Sequence, residues 1–151
     1  MSNMQQYVVF LVDEQVYGIE ILKIKEVVSY QKTTSLPNVK GFVKGIINLR
    51  GIILPVFDLR EKFSLPETTY TPFHSIIVME ILGRVMGVIV DEISDVVDLL
   101  AEDVQATANL PPGIQTEYMK GIGKKGDELI ILLDIDRLLN PDELELLDAA
   151  T

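Results

Sequence analysis

Along this chain apolar residues come in short runs of strand length, each closed by residues that favour turns. Tyr7–Val12 reads as a strand, Asp13-Glu14-Gln15 as a turn, and Val16–Ile21 as the return arm of a hairpin. A third strand follows at Lys25–Tyr30, where alternation places Ile24, Glu26 and Val28 on one face and Lys25 and Val27 on the other. Beyond a polar loop with Pro37 and Gly41, Phe42–Leu49 and Ile52–Phe57 form a second hairpin around Arg50-Gly51, with Gly51 supplying the permissive backbone. Asp58–Phe63 reads as a short helical cap and Ser64–Pro72 as a connection.

The same order then recurs. Strands are expected near Ser75–Ile81, Val85–Val90 and Ile93–Leu99, followed by a long loop, Ala101–Tyr118, and a hairpin of Met119–Ile122 and Glu128–Leu133. A closing helix begins with Asn140 as N-cap and Pro141 as first helical residue; Asp142, Glu143 and Glu145 suit the positive end of its dipole. Leu144, Leu146 and Leu147 give it an apolar side.

The recurrence is a duplication. At an offset of 69, Tyr7–Val28 lies over Ile76–Val97, with Val9/Val78, Val16/Val85, Gly18/Gly87, Ile24/Ile93, Val27/Val96 and Val28/Val97 identical. At an offset of 76, Lys44-Gly45-Ile46 meets Lys120-Gly121-Ile122, and Asp58-Leu59 meets Asp134-Ile135. A repeated unit of about 70 residues predicts two similar modules facing each other across a seam. Five short strands per copy suggest a small closed barrel in each half, each stabilised by burial against its twin. The pattern is all-β, with subdomain boundaries near residues 1–71 and 72–151 of one domain; it leaves open whether terminal strands cross between barrels.

Composition narrows the function. With 13 Lys plus Arg against 23 Asp plus Glu, the net charge is −10, which repels phosphate backbones and argues against nucleic-acid binding. The absence of cysteine excludes disulfides and thiol chemistry and suits a reducing compartment. No run approaches the roughly 20 apolar residues that span a bilayer, and the first residues do not read as a signal peptide, so a cytoplasmic location without membrane insertion is expected.

Candidate chemistry is thin. Gly121-Ile122-Gly123-Lys124-Lys125-Gly126 matches G-x-G-x-x-G, but a dinucleotide site needs a helix after it, and Glu128–Leu133 is a strand. A hairpin turn is the better reading. His74 has no placed acid partner that would make it a base. Asp91-Glu92, Asp127-Glu128 and Asp134/Asp136 lack calcium-loop spacing. No metal, cofactor or catalytic residue is expected. Glu26 and Arg50 sit amid apolar neighbours, and the planar fork of Arg50 suits an interface contact, although an Arg at a hairpin tip is more often solvated. A nucleotide-binding enzyme and a standalone dimer are the competing readings.

The segment Val43-Lys44-Gly45-Ile46-Ile47-Asn48-Leu49-Arg50-Gly51-Ile52-Ile53-Leu54-Pro55-Val56 closely resembles the signature of the CheW family of bacterial chemotaxis. The resemblance runs nearly end to end, through Val16-Tyr17-Gly18-Ile19, Ile24-Lys25-Glu26-Val27, Gly87-Val88-Ile89-Val90-Asp91, Tyr118–Gly123 and Leu132–Leu139. It implies two packed five-stranded SH3-like barrels. It also implies a non-catalytic adaptor between the helical tip of transmembrane chemoreceptors and the regulatory domain of the histidine kinase CheA. Ile24, Glu26, Gly45 and Arg50 match receptor-binding positions, with Glu26 and Arg50 an ion pair, and Val96 would line the groove between barrels. Kinase contacts are implied at the outer barrel ends, one near Leu110, where a relative carries an aromatic. With neither receiver nor ATP-binding segment after Thr151, a free-standing adaptor is the expected form.

Overall fold

The computed structural model describes residues 3–37, 43–110 and 117–149. Eleven strands form two sheets. They are β1 (Met4–Val12), β2 (Gln15–Glu20), β3 (Ile24–Ser29), β4 (Val43–Leu49), β5 (Ile52–Asp58), β6 (Ser75–Ile81), β7 (Arg84–Val90), β8 (Glu92–Leu100), β9 (Val104–Gln105), β10 (Met119–Lys125) and β11 (Glu128–Leu133). Helices α1 (Leu59–Lys62) and α2 (Pro141–Ala149) complete the architecture.

One sheet runs β8-β1-β2-β11-β10-β9 and the other β3-β6-β7-β5-β4. Each half of the duplicated chain therefore gives its first hairpin to the other half's sheet: β1–β2 joins β10–β11, and β6–β7 joins β3 and β4–β5. The crossing left open by the sequence is an exchange of whole hairpins. Both joints are parallel, β2 beside β11 at Tyr17/Ile131 and β7 beside β5 at Gly87/Val56. The duplicated glycines sit at these joints for want of space. A Cβ on Gly18 would stand 3.0 Å from Ile130, and one on Gly87 2.8 Å from Ile76 and 3.2 Å from Val56.

Hydrophobic residues sort into three cores. Ile47, Leu54, Val56, Ile76, Val78 and Ile89 fill the five-stranded sheet alone. Tyr7, Val9, Leu99, Ile130 and Leu132 fill the six-stranded one. The largest core lies between them and draws on both, through Phe10, Val12, Phe57, Ile77, Met79 and Val88 among others. Strands β1 and β6 therefore bury both faces, which is why they read as continuous apolar runs instead of alternating ones. Stacked rings cross this middle layer: Phe10 on Tyr17, Tyr17 on Phe63 and Phe63 on Tyr118, with centroids 5.9, 5.4 and 4.9 Å apart.

Both helices close the middle core. Asp58 caps α1 by accepting from the Arg60 amide at 2.8 Å, and at the matching place Asp134 accepts from the Asp136 amide at 3.1 Å. Asn140 and Glu143 form a reciprocal capping box at the start of α2, with bonds of 2.8 and 2.9 Å. Leu144 and Leu147 enter the core, and Lys62 of α1 donates to Glu143 at 2.7 Å.

Two expectations need correction. The segment Ala101–Tyr118 is not all loop: it holds β9 and two 3-10 turns, Ala101–Asp103 and Thr107–Asn109, and β9 gives its sheet a sixth strand. Nor do the glycines of Gly121–Gly126 all make a turn. Only Gly126 turns, at φ 60°, whereas Gly121 and Gly123 lie inside β10. They answer close approach: a Cβ on Gly121 would stand 2.8 Å from the Gln105 carbonyl oxygen, and one on Gly123 2.6 Å from Leu99. Gly41 and Phe42 fall outside the described residues, as do residues 111–116.

Gly45 is the counterpart of Gly121 and is more constrained. It lies at a bulge opposite β5, at φ 145°, and a Cβ there would stand 2.1 Å from the Thr34 carbonyl oxygen. Gly45→Ala should cost at least about 3 kcal/mol in urea unfolding, by clash and backbone strain together. Gly51, at φ 87° with open space around it, should lose only about 1 kcal/mol as Gly51→Ala. Equal losses at both positions would contradict this account.

Candidate functional interface

The five-stranded sheet curls until its outer strands, β3 and β4, approach each other. Two contacts mark the closure. Past the end of β3, Thr34 exchanges backbone hydrogen bonds with Ile46 of β4, at 2.8 and 2.9 Å. Beyond the other end of β4, the Arg50 guanidinium donates to the Glu26 carboxylate of β3. This ion pair is the exposed part of the closure, with the side chains of Arg50 and Glu26 68% and 31% accessible.

The β4–β5 turn sets the reach of Arg50. Residues Arg50 and Gly51 both take positive φ, 51° and 87°, as a tight hairpin turn requires. Asn48 fixes the turn, its side-chain oxygen accepting from the Gly51 amide at 2.8 Å. Glu26 is aimed by alternation along β3, whose residues switch between half-buried and exposed. Ile24 packs on the middle core, while Val27 faces solvent.

The other residues singled out in the sequence are placed differently. Gly45 is buried beneath Thr34 and offers no exposed side of its own. Val96 lies on β8, the edge of the other sheet, with 49% of its surface open and its amide held by Asp95 Oδ1 at 2.8 Å. Leu110 is half-buried after the 3-10 turn Thr107–Asn109, which packs against β10, and its amide donates to the Thr107 carbonyl at 3.0 Å. The structure thus brings Glu26 and Arg50 into contact and puts Val96 and Leu110 on the six-stranded sheet. His74 sits just before β6, its Nδ1 accepting from the Thr71 amide at 3.1 Å and its ring edge-on to Tyr70.

A second charge cluster escaped sequence reasoning. Arg60 of α1 holds Asp91 through two bonds, Nε to Oδ1 at 2.9 Å and Nη2 to Oδ2 at 2.6 Å, and also donates to the Pro66 carbonyl at 2.8 Å. The Asp13 amide, in the turn of the exchanged hairpin β1–β2, donates to Asp91 Oδ2 at 2.8 Å. The cluster therefore pins one exchanged hairpin to the end of the other. Burial alone would push the Asp91 carboxyl up, but the Arg60 guanidinium, the Asp13 amide and nearby His74 outweigh it and hold the group below its usual range. Asp58 moves the opposite way: burial pushes its carboxyl up despite bonds from the Tyr70 hydroxyl and the Arg60 amide. Residues 13, 60 and 91 are far apart in the chain, and only their spatial meeting reveals the cluster.

Two small barrels on a common core, with an exposed ion pair at a barrel closure, define a β-barrel module suited to protein contact. Residues 6–143 match the family model of the CheW-like domain. The chain is 38% identical to the chemotaxis protein CheW of Klebsiella aerogenes, over 95% of this chain and 87% of that protein. It is 34% identical to the chemotaxis protein CheW of Treponema pallidum, over 93% and 85%. Among solved structures, the scaffolding protein TtCheW from Thermoanaerobacter tengcongensis aligns with a TM-score of 0.82 at 34% identity, covering 93% of this chain and 97% of that one. The chain belongs to the CheW family of chemotaxis scaffold proteins. Among the described residues, no helix is long and apolar enough to cross a membrane.

The lowered Asp91 carboxyl sets a pH dependence. Its stabilisation is complete above the ordinary carboxylate range, about pH 4, and is lost as acid protonates it through the lower folded value. Asp91→Asn should therefore be less stable than the parent at pH 7, and the gap should close below about pH 4. Denaturant midpoints measured between pH 7 and pH 3 check this; a gap that widens in acid would refute it.

Proposed function

We propose that this chain is a non-catalytic adaptor that couples transmembrane chemoreceptors to the histidine kinase CheA. The observation that carries the reading is the Arg50–Glu26 pair, held on the outside of a barrel closure. An ion pair so exposed contributes about 0–1 kcal/mol to stability, so its fixed geometry is better explained by recognition than by folding. Arg50 keeps donors free to meet acceptors on a receptor helix, and Glu26 orients the fork. Ile24 supplies apolar contact beside the pair, Val96 lines the groove between the barrels from the edge of the six-stranded sheet, and Gly45 acts from beneath by holding the Thr34 segment against β4.

Kinase contact is assigned to the outer end of the six-stranded barrel, around Leu110. Receptor contact then centres on the closure of the five-stranded sheet and kinase contact on the far part of the six-stranded one, both held in one rigid body, as a coupling protein requires. The working location is the cytoplasmic face of the membrane, reached through the receptors and without insertion. The strand that follows Gly121–Gly126 supports this reading over the nucleotide-binding one.

Arg50→Glu should weaken capture of a receptor cytoplasmic fragment at least tenfold and reduce receptor-dependent kinase activation. Its unfolding free energy, from denaturant titration, should change by no more than about 1 kcal/mol. Glu26→Arg combined with Arg50→Glu should recover part of the binding. Purified chain that captures neither CheA nor receptor fragments would sink the proposal.

A further inference from the structure

The hairpin turns at Asp13-Glu14 and Leu82-Gly83 are duplicates, related by the offset of 69. Asp13 and Leu82 share the same left-handed backbone, φ 50°. An Asp tolerates that conformation, and Asp13 also joins the Asp91 cluster. A leucine there is strained and gains nothing from burial, since Leu82 is 53% exposed. The chain thus contains its own control, in which one copy uses the comfortable residue and the other a costly apolar one.

Leu82 has a neighbour of the same kind. Leu22, in the 3-10 turn Ile21–Lys23, is 87% exposed. The two leucines line one shallow depression together with Lys23, Lys25, Glu80 and Asp136. The charges balance, two cations against two anions, in open pairs: Lys23 with Asp136 at 3.4 Å and Lys25 with Glu80 at 3.6 Å. Lys25 and Glu80 leave about half of each side chain in water, 49% and 51%, so a better-placed partner can replace either.

We propose that this depression is a self-complementary docking surface for a second copy of the chain, joined about a two-fold axis. Leu22 and Leu82 meet their counterparts, and Lys25 of each copy exchanges its own Glu80 for the partner's. Charge selects this occupant. Elsewhere a net charge of −10 sets two copies against each other, whereas this patch is locally neutral and carries both signs. A strongly basic or acidic partner would find half of the patch repulsive. In an isologous contact a Lys25–Glu80 pair made across the interface is made twice, once in each direction. The patch is small, so the dimer is weak and suited to packing at high local concentration.

The test uses the full chain with labelled methyl groups, from about 20 µM to 1 mM, where a weak contact of this size should populate. The methyl signals of Leu22 and Leu82 should shift with concentration as the sedimentation coefficient rises. Leu82→Asn relieves the turn and removes the apolar contact, so it should leave stability equal or higher while abolishing association. Charge supplies the second arm. Lys25→Glu and Glu80→Lys should each associate less than the parent alone, and an equimolar mixture of the two should associate more strongly than either. No concentration dependence, shifts confined to other methyl groups, or a mixture no better than its components would each overturn the proposal. Shifts at Leu22 and Leu82 only on adding a receptor or kinase fragment would also overturn it, by giving the patch to another partner.

Discussion

The parallel joints between exchanged hairpins are the constraint on which the rest depends. Where two antiparallel hairpins lie side by side, side chains of the neighbouring strands crowd over the joint and leave no room for another on that face. Gly18 and Gly87 meet that limit at equivalent points of the two copies, where even a methyl would press on Ile130 or on Ile76 and Val56. Because each half lends a hairpin to the other, neither sheet is complete without both halves of the chain. The middle core, walled by both sheets and sealed by α1 and α2, follows from that exchange.

Barrel closure is duplicated as well, and its divergence makes the candidate site. In both copies a glycine at a bulge, Gly45 or Gly121, lets a neighbouring segment approach the backbone, Thr34 in one and Gln105 in the other. In both a basic side chain near the end of the hairpin arm reaches the opposite edge strand. In the second copy Lys125 donates to the Asp98 carbonyl at 3.2 Å, a contact to backbone. In the first, Arg50 reaches the Glu26 carboxylate from the turn itself. A shared architectural device has become a pair of charged side chains on one barrel only. At the offset of 76 Arg50 lies over Gly126, so the charged contact rests on a turn residue that has no side chain in the second copy.

Much of this was legible in the chain. Hairpins, the short helix within Asp58–Phe63, the Asn140-Pro141 start of the last helix and the repeat all rest on local chemistry, and local chemistry is written in neighbouring residues. The strand β9 was missed because two residues carry no periodicity of their own; they pair only because Gly121 allows the Gln105 backbone to approach. The glycines of β10 were misread as a turn for a related reason, since a glycine kept for close approach and one kept for positive φ look alike in sequence. The Arg60–Asp91–Asp13 cluster depends on hairpin exchange, which no local pattern announces. The Glu26–Arg50 pair was reachable by resemblance, while its physical basis, the meeting of two edge strands, needed the sheet order.

A shared core also bears on how the two proposed faces would be coupled. The closure that carries Arg50 belongs to the five-stranded sheet, and the segment that ends at Leu110 packs on the six-stranded one. If the sheets were separate domains on a linker, a partner at one face would leave the other free to rotate. Here β1 and β6 bury both of their faces, so each strand belongs to a barrel interior and to the middle core at once. The rings from Phe10 to Tyr118 and the bond from the Asp13 amide to Asp91 cross the same boundary. Rotating one barrel against the other would open this packing, so the angle between the two faces is fixed by the core. On the proposed reading, an adaptor built this way transmits position: it sets where one partner lies relative to the other through residues buried far from either proposed contact.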